Sequence, residues 1–565
     1  MRLIEKRVGL LFAAFALAFC VVMVRAGWLQ TVKGGEYSAD ARSQQVATVE
    51  VPGIRGAILD RRGNALAVSE EAATIFATPY QVKNPPKEAK QLAAVLDVPE
   101  SDILDSLTSQ SGFEYVAQKV DVVSADRIQK LGLDGIGILP DSRRVYPQGK
   151  DAGRLIGAIG DDGQGLFGVE QSENDVLAGT DGEVAITKDA LGQEINRDVV
   201  TGTAAGHDVQ LTIDGRIQSY TEKVLGDIGD KYMPEDATAI VMDPTDGDVL
   251  AMASWPPVDP SDLSDADPDQ LTNMATGFTY EPGSTFKAFT VAGALQDGLV
   301  KPETTFDVPP EIKVADRTIG ESHEVGYRTL SVSDILAQSS NVGTVMIGQE
   351  LGDREFGSWV SKFGFGSPTG IDYPAEEQGI VPTPDEYSGS SIGNLPIGQG
   401  LSVTPMQMME GYAAIANGGI LRTPRLIESV DGNPVEHSAG TRVISKKTSA
   451  ELRTMLEGVL GEGGTASEVS VPGYVLAGKT GTAQKVVDGT YSDTQYIASF
   501  VGFAPAADPR LLVAVIVDDP RAATTTVARS RRRHSGRSPR SLSRTSGSLR
   551  PSDPRGGGLP RLPRS

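Results

Sequence analysis

Residues 281–287 read Glu-Pro-Gly-Ser-Thr-Phe-Lys, and this stretch decides how the second half of the chain is interpreted. Pro282 and Gly283 interrupt the preceding segment, and a helix-compatible sequence begins at Ser284. A serine on the first helical turn lies near free backbone N–H groups and the positive end of the helix dipole, which favour a developing anion. Lys287 follows three residues later, so both side chains share one helix face. A partly desolvated lysine can lose its proton and activate a serine as a nucleophile.

Two further motifs follow in order and give this pair its significance. Ser339-Ser340-Asn341 begins 55 residues after Ser284, and Lys479-Thr480-Gly481-Thr482 begins another 140 residues later on a predicted strand. The S-x-x-K motif alone is weak, because a chain of this length should contain about two chance matches. The three motifs together match the signature of penicillin-binding proteins and serine β-lactamases. Taken singly, the second motif could be helix capping and the third an ordinary threonine-rich strand.

The apolar segments around these motifs predict an α+β fold. Two β-rich runs, 239–242 and 248–254, flank a Pro-Thr-Asp-Gly turn, helical segments follow, and β-rich runs return near the C-terminus. The predicted helices are 284–296 and 332–351, and the predicted late strands are 475–478, 497–503 and 511–517. This order indicates an antiparallel sheet covered by helices. The preceding 31–230 segment reads as mixed, turn-rich structure with short strands such as 56–59 and 209–213.

On these residues the chain resembles a monofunctional class B penicillin-binding protein, similar to the FtsI-type peptidoglycan D,D-transpeptidases. Further family marks reach well outside the three motifs. They are Arg55–Gly63, Arg144–Pro147, Gly149, Gly165, Gly168, Glu170, Leu177, Gly179, Gly182, Asp208–Gln218, Asn273, Tyr280–Gly283, Gly398–Gly400, Thr404 and Pro405. The resemblance, which extends to about Asp519, implies an elongated pedestal of the class B dimerisation type (31–230) and a transpeptidase domain like the serine β-lactamases (231–521). A predicted cytoplasmic stub and membrane anchor (1–30) precede them, and the Arg-, Ser- and Pro-rich composition of residues 522–565 predicts a disordered tail.

The resemblance implies a mechanism of acyl transfer through a serine ester. Ser284 would attack the penultimate D-Ala carbonyl of a peptidoglycan stem peptide and expel the terminal D-Ala. Lys287 would take the serine proton, and Ser339 with Lys479 nearby would relay it to the leaving amine. Asn341 would hold the substrate amide and orient the base.

The same resemblance assigns substrate binding to the third motif. The hydroxyl groups of Thr480 and Thr482, which flank Gly481, would bind the substrate carboxylate beside Lys479. The backbone N–H groups of Ser284 and Thr482 would form an oxyanion hole. β-Lactams, which imitate the D-Ala-D-Ala end, would trap the acyl-enzyme. The mechanism requires neither a metal nor another cofactor.

The N-terminus predicts a membrane anchor. Arg2, Lys6 and Arg7 precede an uncharged, mostly apolar run at 8–24, and Trp28 lies just beyond it. The leading basic residues place the N-terminus in the cytoplasm and the rest of the chain outside the membrane. The alternative is a cleaved signal peptide, but the segment lacks a good small-x-small cleavage site.

Composition excludes other classes of protein. The formal net charge is −22, yet twelve Arg and one Asp fall in residues 521–565, which leaves 40 basic and 73 acidic groups, or −33, for the remainder. The strong negative charge of residues 1–520 argues against nucleic acid as the main partner. The single Cys20 excludes a disulfide framework and a Cys-rich metal site. By resemblance, the expected protein partners are an FtsW-type glycan polymerase and divisome proteins, and residues 34–47 could serve partner binding.

The sequence departs from the family after its last predicted strand. The family continues with a Tyr/Gly-rich loop and a closing helix, whereas residues 522–529 read Ala-Ala-Thr-Thr-Thr-Val-Ala-Arg and lead into the tail. GC-rich codons for this stretch, read from the third base, give Gly-Asp-Tyr-Tyr-Gly-Gly-Thr, which resembles the missing loop. We therefore predict a frameshift near residue 521, in the gene or its recorded sequence; the alternative is a natural basic tail. Resequencing the 3′ end decides between them.

Two other short motifs can be set aside, whereas three alternative functions remain open. The G-x-S-x-G match at 389–393 follows a predicted loop rather than a strand, and the G-x-G-x-x-G match at 163–168 reads as a turn, so neither supports an esterase or a dinucleotide site. The alternative functions are an elongation-type transpeptidase, a D,D-carboxypeptidase or β-lactamase, and a non-catalytic β-lactam-binding scaffold or sensor. The anchor and the long pedestal favour the transpeptidase.

Overall fold

The computed structural model describes residues 2–31, 46–188, 194–487 and 489–521. Helix α1 (Arg2–Thr31) contains the predicted apolar run and is long and apolar enough to cross a membrane. Residues 34–45, most of the stretch considered for partner binding, and the tail 522–565 lie outside the described residues.

The N-terminal region combines two sheets with a layer of helices. A three-stranded antiparallel sheet contains β1 (Val46–Val51), β6 (Gly182–Lys188) and β7 (Glu194–Thr201). A second sheet contains β2 (Ile58–Leu59), β3 (Ala65–Ala77), β4 (Glu114–Asp121), β5 (Ile136–Val145) and β8 (Val209–Leu211). Helices α2 (Pro85–Leu96), α3 (Glu100–Thr108) and α4 (Val122–Leu131) bury apolar residues against β3 and β4, and α5 (Gly153–Ile156), α6 (Gly168–Ser172) and α7 (Asn174–Leu177) are single turns.

A buried charge cluster ties this region together. Arg55 Nε donates to Glu170 Oε2 at 2.6 Å, and Arg144 Nε donates to Glu170 Oε1 at 2.7 Å. The Glu170 side chain is fully buried, as are nearly all of both guanidinium groups. Because a buried charge is tolerated only when it is paired and hydrogen-bonded, each of the three side chains depends on the other two.

The second sheet continues into the C-terminal half of the chain. Strand β8 pairs in parallel with β2 and antiparallel with β16 (Ile427–Val430), which is followed by β17 (Asn433–Pro434). One hydrophobic core contains residues of both halves, including Ile58, Val209 and Ile427. The predicted boundary at residue 230 falls inside a helix, Gly215–Tyr232, and a shared sheet and core join the segments on its two sides.

The C-terminal half is built on a five-stranded sheet with the order β10 (Val249–Trp255), β9 (Asp236–Met242), β21 (Leu511–Asp518), β20 (Thr490–Ala504) and β19 (Ala477–Val487). Every pair in it is antiparallel. Helix α8 (Gly215–Tyr232) packs Leu225 against Ala237 and Ala239 of β9. Helices α10 (Lys287–Gln296), α14 (Pro405–Ala416) and α15 (Lys446–Gly458) bury their apolar residues in the main core. The predicted α+β class, with an antiparallel sheet covered by helices, is confirmed.

Smaller elements complete this half. Two-stranded ribbons pair β11 (Thr305–Val308) with β14 (Arg328–Ser331), β12 (Glu311–Val314) with β13 (Arg317–Gly320), and β15 (Ile420–Leu421) with β18 (Thr441–Arg442). The remaining helices are α9 (Met274–Gly277), α11 (Val332–Ala337), α12 (Asn341–Lys362) and α13 (Ser391–Asn394).

Two differences between the predicted and the observed elements affect the residues of the three motifs. The single helix expected over 332–351 is wrong, because α11 ends at Ala337 and α12 begins at Asn341. The break is local in origin: Ser340 caps α12 by accepting a hydrogen bond from the Gly343 N–H, and Ser339 adopts a left-handed φ of 59°. Strand β19 begins two residues later than predicted and continues to Val487, so Lys479 lies on a strand as expected.

Candidate active site

Ser284 lies on a 3-10 helix (Gly283–Phe286) that leads directly into α10. The Lys287 N–H donates to the Ser284 carbonyl, which fixes the two residues one 3-10 turn apart. Side chains at i and i+3 eclipse one another in this geometry, so the hydroxyl and the amine are directed to the same side of the turn. The backbone therefore provides the adjacency predicted from the S-x-x-K motif.

The Lys287 amine joins the first motif to the second. Its side chain is fully buried, and Nζ donates to the Ser339 carbonyl at 2.6 Å and to Asn341 Oδ1 at 2.7 Å. The Ser339 hydroxyl is 3.3 Å from the same Nζ. Burial lowers the pKa of Lys287 well below its ordinary value, and the positive charge of Lys479 lowers it further, while Glu321 opposes both. A lysine in this setting can be neutral near neutral pH and accept a proton.

The break between α11 and α12 explains how the second motif reaches this amine. Helix capping, the simpler interpretation of Ser339 and Asn341, falls instead to Ser340. The left-handed turn at Ser339 exposes its carbonyl to Lys287, and Asn341 opens α12 with its side-chain oxygen on the same amine. Ser340, the middle residue of the S-x-N motif, thus caps the helix, and the side chains of Ser339 and Asn341 remain free for the site.

The third motif lies along β19. Side chains alternate along a strand, so Lys479 and Gly481 share one face while Thr480 and Thr482 share the other. Lys479 is fully buried, and burial lowers its pKa to about 7. Its Nζ donates to the Thr480 carbonyl at 3.1 Å. Thr482 is exposed.

Strand β19 packs directly against the nucleophile turn. A Cβ placed on Gly481 would lie 2.4 Å from Ser499 Oγ, 3.0 Å from Thr285 Cγ2 and 3.1 Å from the Pro282 carbonyl oxygen, so a larger residue would have to displace its neighbours. The structure thus brings Lys287, Ser339 and Asn341 into contact, sets Ser284 one turn before the lysine, and aligns the third motif beside them. None of the recorded hydrogen bonds joins the hydroxyls of Thr480 or Thr482 to this group among the described residues.

A close backbone contact between Gly283 and Gly398 supports the turn that carries Ser284. The Gly283 N–H donates to the Gly398 carbonyl at 3.0 Å, and Gly398 has a φ of 78°. A Cβ on Gly398 would lie 2.2 Å from the Gly283 carbonyl oxygen, which is far inside van der Waals contact. The Gly-Gln-Gly mark at 398–400 is therefore explained by close backbone approach to the turn that carries Ser284.

Replacing Gly398 by alanine should displace this turn and slow acylation of the chain by a fluorescent penicillin about 10²-fold, because small displacements of reacting groups cost that much. Gly432→Ala is the matched control. Gly432 also has a positive φ, of 73°, but an added Cβ would meet no atom within 4 Å. Equal losses in the two variants would show that backbone strain, rather than the contact with Gly283, is responsible.

Several contacts at the site were not predicted from sequence. Glu321 Oε2 accepts from the Asn341 N–H at 2.8 Å, and Thr465 Oγ1 lies 2.8 Å from Thr480 Oγ1. Tyr491 donates to Glu281 Oε1 at 3.0 Å, next to the nucleophile turn. The chain contains 74 acidic residues, and no sequence signal separates Glu321 from the others. Thr465 carries no sequence signal either.

The two alternative motifs lie outside this constellation. The G-x-S-x-G match overlaps α13, which follows a 3-10 helix (Pro384–Glu386) rather than a strand. The G-x-G-x-x-G match contains a turn, with Gly163 at a φ of 77°. Within the described ranges, no group of three or more His, Cys, Asp or Glu side chains could hold a metal ion.

Comparisons with known proteins match both halves of the chain. Residues 237–533 match the model of the penicillin binding protein transpeptidase domain, and residues 50–211 match that of the penicillin-binding protein dimerisation domain. Stage V sporulation protein D of Bacillus subtilis is 36% identical over 533 residues, covering 92% of this chain and 82% of that protein. The peptidoglycan D,D-transpeptidase FtsI of Escherichia coli K12 is 33% identical over 537 residues, covering 92% and 88%.

Solved structures show the same relationship. Penicillin-binding protein 3 of Mycobacterium tuberculosis in complex with aztreonam is 31% identical, with a TM-score of 0.66 over 84% of this chain and 94% of that one. Penicillin-binding protein 2X of Streptococcus thermophilus is 26% identical, with a TM-score of 0.73 over 84% and 77%.

Proposed function

This chain belongs to the penicillin-binding transpeptidases that carry a dimerisation domain, and on that premise we propose that its acyl transfer runs through Ser284. It is a serine-type D,D-transpeptidase of cell-wall synthesis, like its relatives. The observation that supports this assignment of the nucleophile is the buried amine of Lys287, held one turn away by Ser339 and Asn341.

The proposed reaction has two acyl transfers. Neutral Lys287 removes the Ser284 proton as Oγ attacks the penultimate D-Ala carbonyl, and an ester forms. The terminal D-Ala leaves as an amine after receiving a proton, for which the Ser339 hydroxyl beside Lys287 is placed to act as relay. The amine of a second stem peptide then attacks the ester, forms the cross-link and returns the proton to the site. A β-lactam acylates Ser284 in the same way but leaves no departing fragment.

The third motif supplies substrate binding in this proposal. Thr480 and Thr482 share the more exposed face of β19, where their hydroxyls can meet the substrate carboxylate, and Lys479 on the opposite face of the strand adds its charge. The N–H groups of Ser284 and Thr482 stabilise the tetrahedral oxyanion, a contribution typically worth about 3 kcal/mol per donor.

An exchange assay tests the function. The full-length chain in detergent is given a stem-peptide donor ending in D-Ala-D-Ala together with an excess of a labelled D-amino acid. A transpeptidase exchanges the terminal D-Ala for the label, whereas a carboxypeptidase or β-lactamase releases D-Ala to water or turns over a β-lactam. Exchange that exceeds hydrolysis supports the proposal, and hydrolysis alone would contradict it.

Acylation should also depend on pH in two opposite ways. It rises as Lys287 loses its proton, and it falls above about pH 7 as Lys479 loses the charge that attracts the substrate carboxylate. We expect the second-order rate constant with a fluorescent penicillin to be bell-shaped, with its alkaline limb near pH 7. In Lys479→Arg the guanidinium stays protonated, so the alkaline limb should disappear even if the maximum is lower. A rate that keeps rising through about pH 9 in the parent chain would contradict this role.

We further propose a septal role, by resemblance to the FtsI-type enzymes, with elongation as the alternative. Helix α1 fits a single membrane anchor. The basic residues before the apolar run favour a cytoplasmic N-terminus and an extracytoplasmic catalytic half. An FtsW-type glycan polymerase and divisome proteins are the proposed partners, and 31–230 and 231–521 the proposed limits of pedestal and transpeptidase domain. A fluorescent fusion concentrated at the division site supports the septal role, and one along the side wall favours elongation.

A further inference from the structure

Glu321 lies at the end of the β12–β13 ribbon, directly against the second motif. Its side chain is only 5% exposed. Its carboxylate accepts a hydrogen bond from the Ser340 hydroxyl at 2.5 Å and from the Asn341 N–H at 2.8 Å. We propose that Glu321 is a positioning residue that holds the 339–341 loop, and through it the amine of Lys287, in the reactive arrangement. The inference rests on the proposed role of Lys287 as the base.

The loop needs such support because it orients the amine. In the part of the chain that the structure describes, the hydrogen-bond acceptors of Lys287 Nζ all lie on Ser339 or Asn341. Ser339 is held at a φ of 59°, a left-handed conformation that is unfavourable for a non-glycine residue. A relaxed loop would therefore move the acceptors and release the amine from its position beside Ser284.

Glu321 binds the loop at Ser340 and Asn341, the two residues that follow Ser339. The adjacent Gly320 carbonyl also accepts from Asn341 Nδ2 at 3.1 Å, which turns Oδ1 of the same amide toward Lys287. The end of the ribbon thus fixes the backbone and the side chain of Asn341 together. Hydrogen bonds to a charged group are stronger than those between neutral groups, so the two bonds to the Glu321 carboxylate contribute most to holding the loop.

Arg328 closes the arrangement from the other end of the loop. Its Nη2 lies 3.4 Å from Glu321 Oε1, and its Nη1 donates to Gln338 Oε1 at 3.0 Å. The guanidinium compensates the charge of the buried carboxylate and ties it to the residue just before Ser339. The loop is consequently held on both sides by one ion pair.

The carboxylate also acts on Lys287 through its charge. The charged groups that face this amine are Lys479 from β19, which lowers its pKa, and Glu321, which raises it. Removing the negative charge should therefore lower the pKa of Lys287 further and move the acid limb of the pH profile to lower pH. Loss of packing alone would reduce the rate without moving that limb.

The test compares Glu321→Gln and Glu321→Asp with Glu324→Gln in the full-length chain in detergent. Glu324 is exposed and lies three residues away, so its variant removes an equal charge from the same segment. The second-order rate constant for acylation by a fluorescent penicillin is measured across pH. For Glu321→Gln we expect a loss of about 10²-fold on the plateau, together with an acid limb at lower pH. Glu321→Asp should recover part of the rate with the limb in its original place, and Glu324→Gln should match the parent.

Each outcome decides the proposal. A Glu321→Gln chain that acylates within about twofold of the parent, or that slows with an unmoved acid limb, would overturn it. If Glu321→Gln shows no cooperative thermal transition, Glu321→Asp decides: a reduced rate at the parent's unfolding midpoint supports the role, whereas a parent-like rate, or a midpoint that falls together with the rate, overturns it. A Lys287→Arg chain that acylates like the parent would instead refute the base on which the proposal rests, so the two failures are distinguishable.

Discussion

Replacing Lys287 by methionine should slow acylation by a β-lactam about 10²- to 10⁴-fold, the usual contribution of a general base. The methionine side chain is similar in length and apolar, so it can occupy the buried site of a lysine that is fully enclosed. It cannot accept the serine proton. Lys287→Arg should lose as much, because a guanidinium keeps its charge and its donors yet does not deprotonate. The rate constant is followed by in-gel fluorescence of the labelled full-length chain.

Lys301→Met serves as the control for this pair, since Lys301 is exposed just beyond α10. It should acylate at the parent rate. Thermal unfolding of each variant, monitored by intrinsic fluorescence, separates loss of the base from loss of the fold. A folded Lys287→Arg chain that retained most of the acylation rate would exclude the lysine as the base.

Replacing Glu170 by glutamine should destabilise the N-terminal region by about 3–5 kcal/mol, because two buried guanidinium groups would lose their common counter-charge. Arg55 and Arg144 would then face each other across a neutral amide that accepts fewer hydrogen bonds than the carboxylate. For a unit of this size the loss corresponds to a fall of roughly 10 °C in its unfolding midpoint. Differential scanning calorimetry of the full-length chain in detergent measures it.

Asp175→Asn is the matched control, because Asp175 is exposed five residues after Glu170, on the next helix, α7. It should leave the midpoint within about 1 °C of the parent, as is usual for surface substitutions. A Glu170→Gln midpoint as close to the parent would mean that the triad contributes little and that the two arginines are satisfied by their other acceptors. Those acceptors include the Gly163 and Gly56 carbonyls.

The pairing of Ser284 with Lys287 could be predicted from sequence because it depends on short-range spacing. Ser284 and Lys287 share a face through an i to i+3 relation that a single helical turn fixes. The strand that carries Lys479 is visible from its composition. The break at 338–340 was missed because residues 332–351 have helical periodicity throughout, whereas the interruption arises from a second N-cap at Ser340 and a left-handed turn at Ser339.

The contacts that could not be predicted join residues far apart in the sequence. Arg55, Arg144 and Glu170 were each recognised as family marks, but nothing in their local sequence indicates that they meet in one buried triad. Likewise β8 pairs with β16 from more than 200 residues away, which joins the two halves of the chain across the predicted boundary. Glu321 is the same case at the active site, since its partners Ser340 and Asn341 are reached only through the fold of the β12–β13 ribbon.

The most direct test of the account is covalent labelling of Ser284. The full-length chain, its Ser284→Ala variant and a Ser391→Ala control, which removes the serine of the G-x-S-x-G match, are incubated with a fluorescent penicillin and separated on a denaturing gel. The account predicts a long-lived label on the parent and the control, none on Ser284→Ala, and a penicilloyl adduct on the tryptic peptide that contains Ser284. A label that survives in Ser284→Ala, or that is lost in Ser391→Ala, would contradict it.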